Sequence, residues 1–346
     1  VLLEKYWPLP RLIKPYMAFL EAVIKYDIFI MSFDGFFLGD TYLRYFQAYF
    51  LKLANKKTVL IPYGSDAYVY SRVKSIPLLH GLMISFPEAA KKQERIGKNI
   101  DYWLKHADVV IPGVMGIDGF GRWDVLAPSS MVLDLDVWKP SSKSRSQKTS
   151  DETIVVVHAP NHRGFKGTEF IIAAIEQLKK EGLKIELRLL EKLQNSEVRR
   201  ILNEEADILI EQLIITGHGI NAIEGMANGL PTISNLEDEN YVLPMRRWSY
   251  LGECPLVSAT PETLKETLRK LVYSPQLRYK LGKAGRSYVE KYHSYEAAQY
   301  LFSNVIDYVN GDKDDLINLS HPLIGEYPNR SPKIQHPLVN NRIIDE

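Results

Sequence analysis

Short runs of β-branched and aromatic residues alternate with longer helical patterns along most of this chain, and that alternation constrains its fold more than any other feature. Residues 11–25 read as a helix, "YDIFIMSF" as a strand, about 41–54 as a helix and "KTVLIPYG" as a strand. A charged helix over 87–105 then leads to the strand "ADVVIPG". After residue 152 the pattern resumes with "TIVVVHAP", and a helix follows in which Phe170, Ile171, Ala174, Ile175 and Leu178 share one face. "KIELRLLE", a helix opening at "NSEVRRIL" and "ADILIEQLI" continue it. Strands separated by helices pair in parallel through crossovers, with helices on both faces of the sheet. The expected fold class is therefore α/β, doubly wound.

At 346 residues the chain is too long for one ordinary core and suits two domains. The segment 141–152, "SSKSRSQKTSDE", has no large apolar residue and is the expected linker. It divides an N-terminal domain over 1–140 from a C-terminal domain over 153–310, with a Pro- and Asn-rich irregular tail over 311–346. Thr168, Thr260 (before Pro261), Ser274 (before Pro275) and Ser294 read as helix N-caps. Ligands of doubly wound sheets sit beyond the carboxyl ends of the strands, and a two-domain version places its cleft between the facing ends.

A net charge of +1 gives no reason to expect nucleic acid as a partner. The single cysteine, Cys254, can form neither an internal disulfide nor a zinc site, which favours a reducing, cytoplasmic setting. No signal peptide is visible, and "MAFLEAVIKYDIFIMSF" is broken by Glu21, Lys25 and Asp27, short of a membrane span. The aromatic, lysine-bearing stretch "YLRYFQAYFLKLANKK" packs against a sheet on the simpler expectation; peripheral contact with a membrane face is the alternative.

Two loops have the makings of a phosphate site. "HAPNHRGFKGTEF" leaves a strand and enters a helix, with Gly164 and Gly167 permitting close approach and Arg163 and Lys166 adding charge. A helix start offers unpaired N–H groups and partial positive charge to an anion. His158 and His162 are read as structural. The second loop, "GHGINAIEGMANGLPTISN", places Gly217, His218, Gly219 and Ile220 ahead of Asn221 as N-cap, with Glu224 at the third helical position. Asn-x-x-Glu is one form of capping box. The functional alternative has the glycines approach a ligand while Glu224 accepts from vicinal hydroxyls, as acidic residues do on ribose.

Together these loops resemble the C-terminal domain of retaining GT-B glycosyltransferases of the family 4 (group 1) type. The matching features are "KG" at 166–167, "ADILIEQL", "AIEGMANGLPTI" at 222–233 and "SPQLRYKLGKAGRSYV" at 274–289. In the first domain "IPYGSD" at 61–66 is similar to that family's "HGSD" loop, and "VLDLDVWKP" at 132–140 sits at the hand-over between domains. The resemblance implies two Rossmann-like domains and a nucleotide-sugar donor, with Lys166 and Arg163 on the diphosphate, Glu224 on the ribose and residues 217–221 against phosphates and sugar. Glu211 joins the donor side, and Tyr63, Gly64 and Asp66 lie on the acceptor side. It implies no metal and no cofactor beyond the sugar-nucleotide substrate, and transfer to a hydroxyl of a glycan or lipid-linked acceptor, as in polysaccharide biosynthesis.

The sequence departs from that pattern in three places. The family's first glutamate, eight before the second, is Thr216 here; its first-loop histidine is Tyr63; and the arginine expected five before the lysine is replaced by Asn161. The chain also opens directly into a helix, so the first domain is expected to lack its N-terminal strand or strands, with an N-terminal portion outside this sequence. Two alternatives stay open: a catalytically inactive glycosyltransferase-like scaffold, and a GT-B sugar-nucleotide epimerase using carboxylates such as Asp66, Glu211 and Glu237 to Glu239.

Overall fold

The computed structural model describes residues 12–112, 121–127, 130–140 and 148–344. It divides into two compact units: residues up to Val73 with Glu88–Leu126 and Ser303–Ile317, and Lys74–Pro87 with Ala127–Phe302 and Asn318–Glu346. The division is more interleaved than a single linker implies. Of the expected linker, 141–147 lies outside the described residues; at its far end Lys148 is tied to the buried Asp207 at 2.6 Å.

The first unit holds a parallel three-stranded sheet in the order β1-β2-β3, formed by Ile28–Met31, Lys57–Leu60 and Val109–Val110. Its core gathers Phe19, Ala22, Phe29, Leu51, Leu60, Ile100 and Trp103. Two helices are shorter than the sequence pattern. The 41–54 stretch is a 3-10 turn, Arg44–Phe46, followed by the helix Gln47–Leu53. Gln47 explains the break: its amide turns inward, donating to Arg44 O at 3.1 Å and accepting from Phe36 N at 3.0 Å. The 87–105 stretch is a turn, Pro87–Ala90, then the helix Gln93–His106.

The second unit is a parallel five-stranded sheet in the order β5-β4-β6-β7-β8, formed by Ile185–Leu189, Ile154–His158, Ile208–Thr216, Thr232–Asn235 and Val257–Ser258. Strands covered on both faces read as continuous apolar runs, which is why "TIVVVH" and "ADILI" stand out. Ile154, Val156, Ile208, Ile210 and Ile233 pack with Ile171, Ile175 and Leu178 of the helix Thr168–Lys180 and with Leu268 and Leu271 of the helix Leu264–Tyr273. Ser274 caps the helix Pro275–Tyr292, accepting from Leu277 N at 3.2 Å. Thr263, not Thr260, directly precedes the helix, which starts at Leu264. Thr168 is likewise no cap; Gly167 precedes the helix in the left-handed region, and the Thr168 hydroxyl meets His158 Nε2 at 2.9 Å.

The tail is irregular but packed. Leu338 enters the core, and Asn341 Nδ2 donates to Cys254 O at 2.8 Å and Leu256 O at 3.0 Å. No helix among the described residues is long and apolar enough to cross a membrane.

Candidate active site

Because β4, β6 and β7 run parallel, the loops leaving them open at one edge of the sheet. The first begins after His158, a fully buried strand-end residue whose Nδ1 pairs with Ile210 O at 2.8 Å. With both ring nitrogens engaged it is structural, as expected, and desolvation depresses its pKa to about 4. The loop then forms one helical turn, Arg163–Lys166, before Gly167, at φ 77°, restarts the chain as the helix Thr168–Lys180.

That turn is held from outside by the helix Ile76–Ser85, whose Ser85 hydroxyl accepts from Phe165 N at 2.8 Å. Phe86 covers the His162 ring at a centroid distance of 4.3 Å. No sequence pattern marks this helix. "IPLLHGLMIS" is apolar almost all round, so its helical period does not show.

Lys166 points across the sheet edge to β6. Its Nζ donates to Gln212 Oε1 at 2.6 Å and to Glu211 Oε1 at 3.1 Å. Successive side chains of a regular strand point to opposite faces, so adjacent residues cannot normally share a partner. Here the β6–β7 register shifts between Ile210 and Gln212 and again before Thr216. Such a bulge re-aims a side chain, which brings both residues to one ammonium.

The same two residues fix the second loop. Glu211 Oε1 also accepts from Gly219 N at 2.7 Å, and Gln212 Nε2 donates to Gly217 O at 3.0 Å. Ser234 Oγ also donates to Gly217 O, at 2.5 Å, while Gly217 N donates to Asn235 O at 2.9 Å. Gly217 is required by its backbone, at φ 104°. At Gly219 a Cβ would stand 2.9 Å from Glu211 Oε1. The loop's glycines thus accommodate the protein's own carboxylate.

The helix that follows is Ile220–Ala227 with Gly219 as N-cap. This corrects the reading of Asn221 as the cap. Asn221 lies inside the first turn, and its Nδ2 donates to Glu224 Oε2 at 3.1 Å. Asn195 Nδ2 approaches Glu224 Oε1 at 3.5 Å. Glu224 is therefore not bonded back to the cap as a capping box requires. The backbone N–H groups of Ile220 and Asn221 head the helix without intrahelical partners. Glu224 is buried; desolvation raises its pKa, the two asparagines oppose the rise, and the charge of Glu211 adds to it.

His218 is fully buried, its ring edge-on to Tyr250 at 5.7 Å and to His293 at 6.0 Å. Its side chain backs the loop from within. Burial and then the charge of Lys166 lower its pKa to about 4, so the ring is neutral. Glu211 Oε2, both His218 nitrogens and Asn221 Oδ1 are buried without a hydrogen-bond partner among the described residues. Native interiors leave few such atoms, and their gathering around one loop marks it as a place built for something other than stability alone.

Arg163 lies at the outer margin. Its guanidinium is bonded to Glu169 at 2.8 Å and to both oxygens of Glu191 at 3.0 Å. Its charge is neutralised there, unlike an arginine poised for an anion.

In the first unit, Asp66 turns its carboxylate inward. Oδ1 accepts from Tyr63 N at 3.0 Å and Gly64 N at 2.9 Å, and Oδ2 from Phe33 N at 3.1 Å. It ties the loop after β2 to the loop after β1 and is buried, which raises its pKa. Gly64, at φ 144°, has open space where a side chain would stand. The exposed group is Tyr63, whose hydroxyl donates to Asp34 at 2.7 Å; that bond pushes the phenol up to about 12. Asp34 was missed, since a lone aspartate in "SFDGF" carries no pattern. Among the described residues no group of histidine, cysteine and carboxylate side chains could hold a metal.

No protein-family model and no curated protein matches this sequence. Solved structures do match. The chain superposes on a sucrose-phosphate synthase from Thermosynechococcus elongatus with a TM-score of 0.55 and 17% identity, over 88% of this chain and 81% of that one. It superposes on Anabaena HepE, solved with UDP and glucose, with a TM-score of 0.51 and 12% identity, over 86% and 83%. Together with the two parallel sheets, these likenesses show the GT-B fold of two Rossmann-like units.

Proposed function

We propose that this protein is a glycosyltransferase that moves a sugar from a nucleotide donor to a hydroxyl of a glycan or lipid-linked acceptor. The observation that carries the reading is the pairing of Lys166 with Glu211 and, through the same oxygen, with the start of the helix that bears Glu224. A cation, the two N–H groups that open a helix and a buried carboxylate therefore sit around one loop. Lys166 and the N–H groups of Ile220 and Asn221 would receive the diphosphate, and Glu224 the ribose hydroxyls.

Charge grows on the departing diphosphate as the glycosidic bond breaks. A fixed ammonium and a helix start stabilise it without reorganising, so they act most strongly in the transition state. On this reading no metal is needed. Arg163 is assigned a supporting part, because it must leave two carboxylates to touch a phosphate. Glu211 supplies the carboxylate that Thr216 does not. Retention of anomeric configuration is proposed on the sequence resemblance. Tyr63 and Asp34 are the acceptor-side groups, with Asp66 as their framework. The buried, unpaired Cys254 fits a cytoplasmic setting.

The UDP bound to HepE makes uridine nucleotides the first donors to test. With a donor and acceptor pair in hand, Lys166→Ala should lower kcat by about 100-fold or more, the loss typical of one preorganised donor to a developing anion. Turnover equal to wild type would remove Lys166 from the mechanism. Donor consumed at full rate without acceptor would instead indicate epimerase or hydrolase chemistry.

A further inference from the structure

The tail folds back along the helix Pro275–Tyr292 and leaves a cavity of about 500 Å³ between them, within the second unit and sharing no residue with the candidate donor loops. Tyr279, Lys280, Lys283 and Ser287 form its helical wall, and Lys333 and His336 stand in its tail wall. Buried Ala284 and Ile334 lie at its base. The volume is that of a small-ligand site.

Charge gives the cavity its character. Residues 274–289 and 327–344 contain no aspartate or glutamate, so neither wall brings its own counter-ion. Two cations of the helix turn inward: Arg278 donates to Leu271 O at 2.6 Å and Val272 O at 2.9 Å, and Arg286 to Trp138 O at 2.6 Å and Ala227 O at 3.1 Å. Lys280 and Lys283 are exposed and have no ion pair among the described residues. Three residues apart on a helix, their ammonium groups are neighbours, and like charges so placed repel. Neither stands in the last turn, where the helix dipole would favour a cation. A bound anion relieves that repulsion.

The tail wall is fixed. Lys333 Nζ donates to Pro328 O and Asn329 Oδ1, both at 2.8 Å, and keeps a third proton. Glu253, 3.9 Å from Lys333 Nζ, is bonded to Lys291 at 2.8 Å and to the Tyr292 hydroxyl at 3.0 Å. His336 Nδ1 accepts from Leu338 N at 3.3 Å. Beside the cations the lining is apolar, with the half-exposed Tyr279 ring, Pro332 and Pro337. A bare inorganic ion would leave those surfaces unused.

We propose that this cavity binds a phosphate ester carried on a small ring, with Lys280 and Lys283 on the phosphate and Tyr279 against the ring. A sugar phosphate and a mononucleotide share that chemistry. The inference does not depend on the donor-site assignment, and its test needs no turnover.

Isothermal titration of mannose 6-phosphate, AMP and inorganic phosphate into the full chain and its variants reads it directly. At least one of the two esters should bind wild type about tenfold or more tightly than inorganic phosphate, the gain from covering a ring. Lys280→Ala with Lys283→Ala should weaken that ester about 100-fold, on the order of tenfold for each charge-assisted contact. Tyr279→Ala should weaken the ester and leave inorganic phosphate unchanged. Lys166→Ala should bind the ester as wild type does. The three cavity side chains are exposed, and an unchanged melting temperature without ligand confirms that their variants fold. No ester binding to wild type, an ester no tighter than inorganic phosphate, or a double variant that binds as wild type does would overturn the proposal. So would loss of ester binding in Lys166→Ala, which would put the ligand at the donor loops instead.

Discussion

Replacing Glu211 by glutamine removes one negative charge from the centre of the candidate site while keeping its shape. In the wild type, Oε1 receives Lys166 Nζ at 3.1 Å and Gly219 N at 2.7 Å. The Glu211 side chain is 1% exposed and that of Lys166 14%. At this separation the gross attraction is about 5 kcal/mol for an effective dielectric near 20. Desolvation of both groups offsets much of it, yet breaking a buried pair by removing one partner costs about 3–5 kcal/mol. Glutamine retains an acceptor for Gly219, which points to the lower end, about 3 kcal/mol. For a domain of this size that is a fall of about 6–12 °C in Tm. The proposed function adds a second, opposite expectation. A bound diphosphate can take the place that Glu211 holds on Lys166, so UDP should raise the Tm of Glu211→Gln more than that of wild type. Differential scanning fluorimetry with and without UDP measures both. A variant melting within about 1 °C of wild type would refute the pair. A smaller UDP shift than wild type's would refute the competition.

Gly219→Ala sets a methyl 2.9 Å from Glu211 Oε1 and should weaken donor affinity about tenfold, the loss of roughly one hydrogen bond, as read by calorimetry. The histidines 158, 218 and 293 have folded pKa values depressed by burial to about 4, 4 and 3. The unfolded chain therefore binds more protons below pH ~6.5, so stability should be full above that pH and fall as pH drops through 6 toward 4. Urea midpoints across this range check the sign, and a midpoint that rises on acidification contradicts it. His218→Phe removes two buried unpaired nitrogens at similar shape and should leave Tm unchanged or higher. Asp66→Ala orphans three backbone N–H groups and should cost about 3 kcal/mol, whereas Tyr63→Phe, losing one exposed bond, should cost under about 1 kcal/mol in chemical denaturation.

The sheets were legible because parallel strands buried on both faces leave uninterrupted apolar runs, as in "TIVVVH" and "ADILI". The helix Ile76–Ser85 was not legible, being apolar almost all round, and neither was its place beside the turn bearing Lys166. Ser274 was readable as a cap, but Asn221 was not. Gly219 caps that helix because Glu211 claims its N–H, and a partner eight residues back in a bulged strand has no local signature. The same bulge explains why Gln212 was missed. Periodicity would send it to the face opposite Glu211. Asp66 was singled out, but nothing in a Gly-Ser-Asp loop announces the three backbone donors that gather around its carboxylate. Residues 74–87 and 303–317 each fall in a different unit from the segments that flank them, a placement set by tertiary packing rather than by any local pattern.

Isothermal titration of UDP- and GDP-sugars into wild type and Lys166→Ala tests the central claim most directly. At least one nucleotide sugar should bind wild type at one site per chain, and the variant should bind it about 10- to 100-fold more weakly, the worth of a charge-assisted contact to phosphate. Equal affinity of the two proteins for that ligand, or no heat from any nucleotide sugar with a folded wild type, would contradict it.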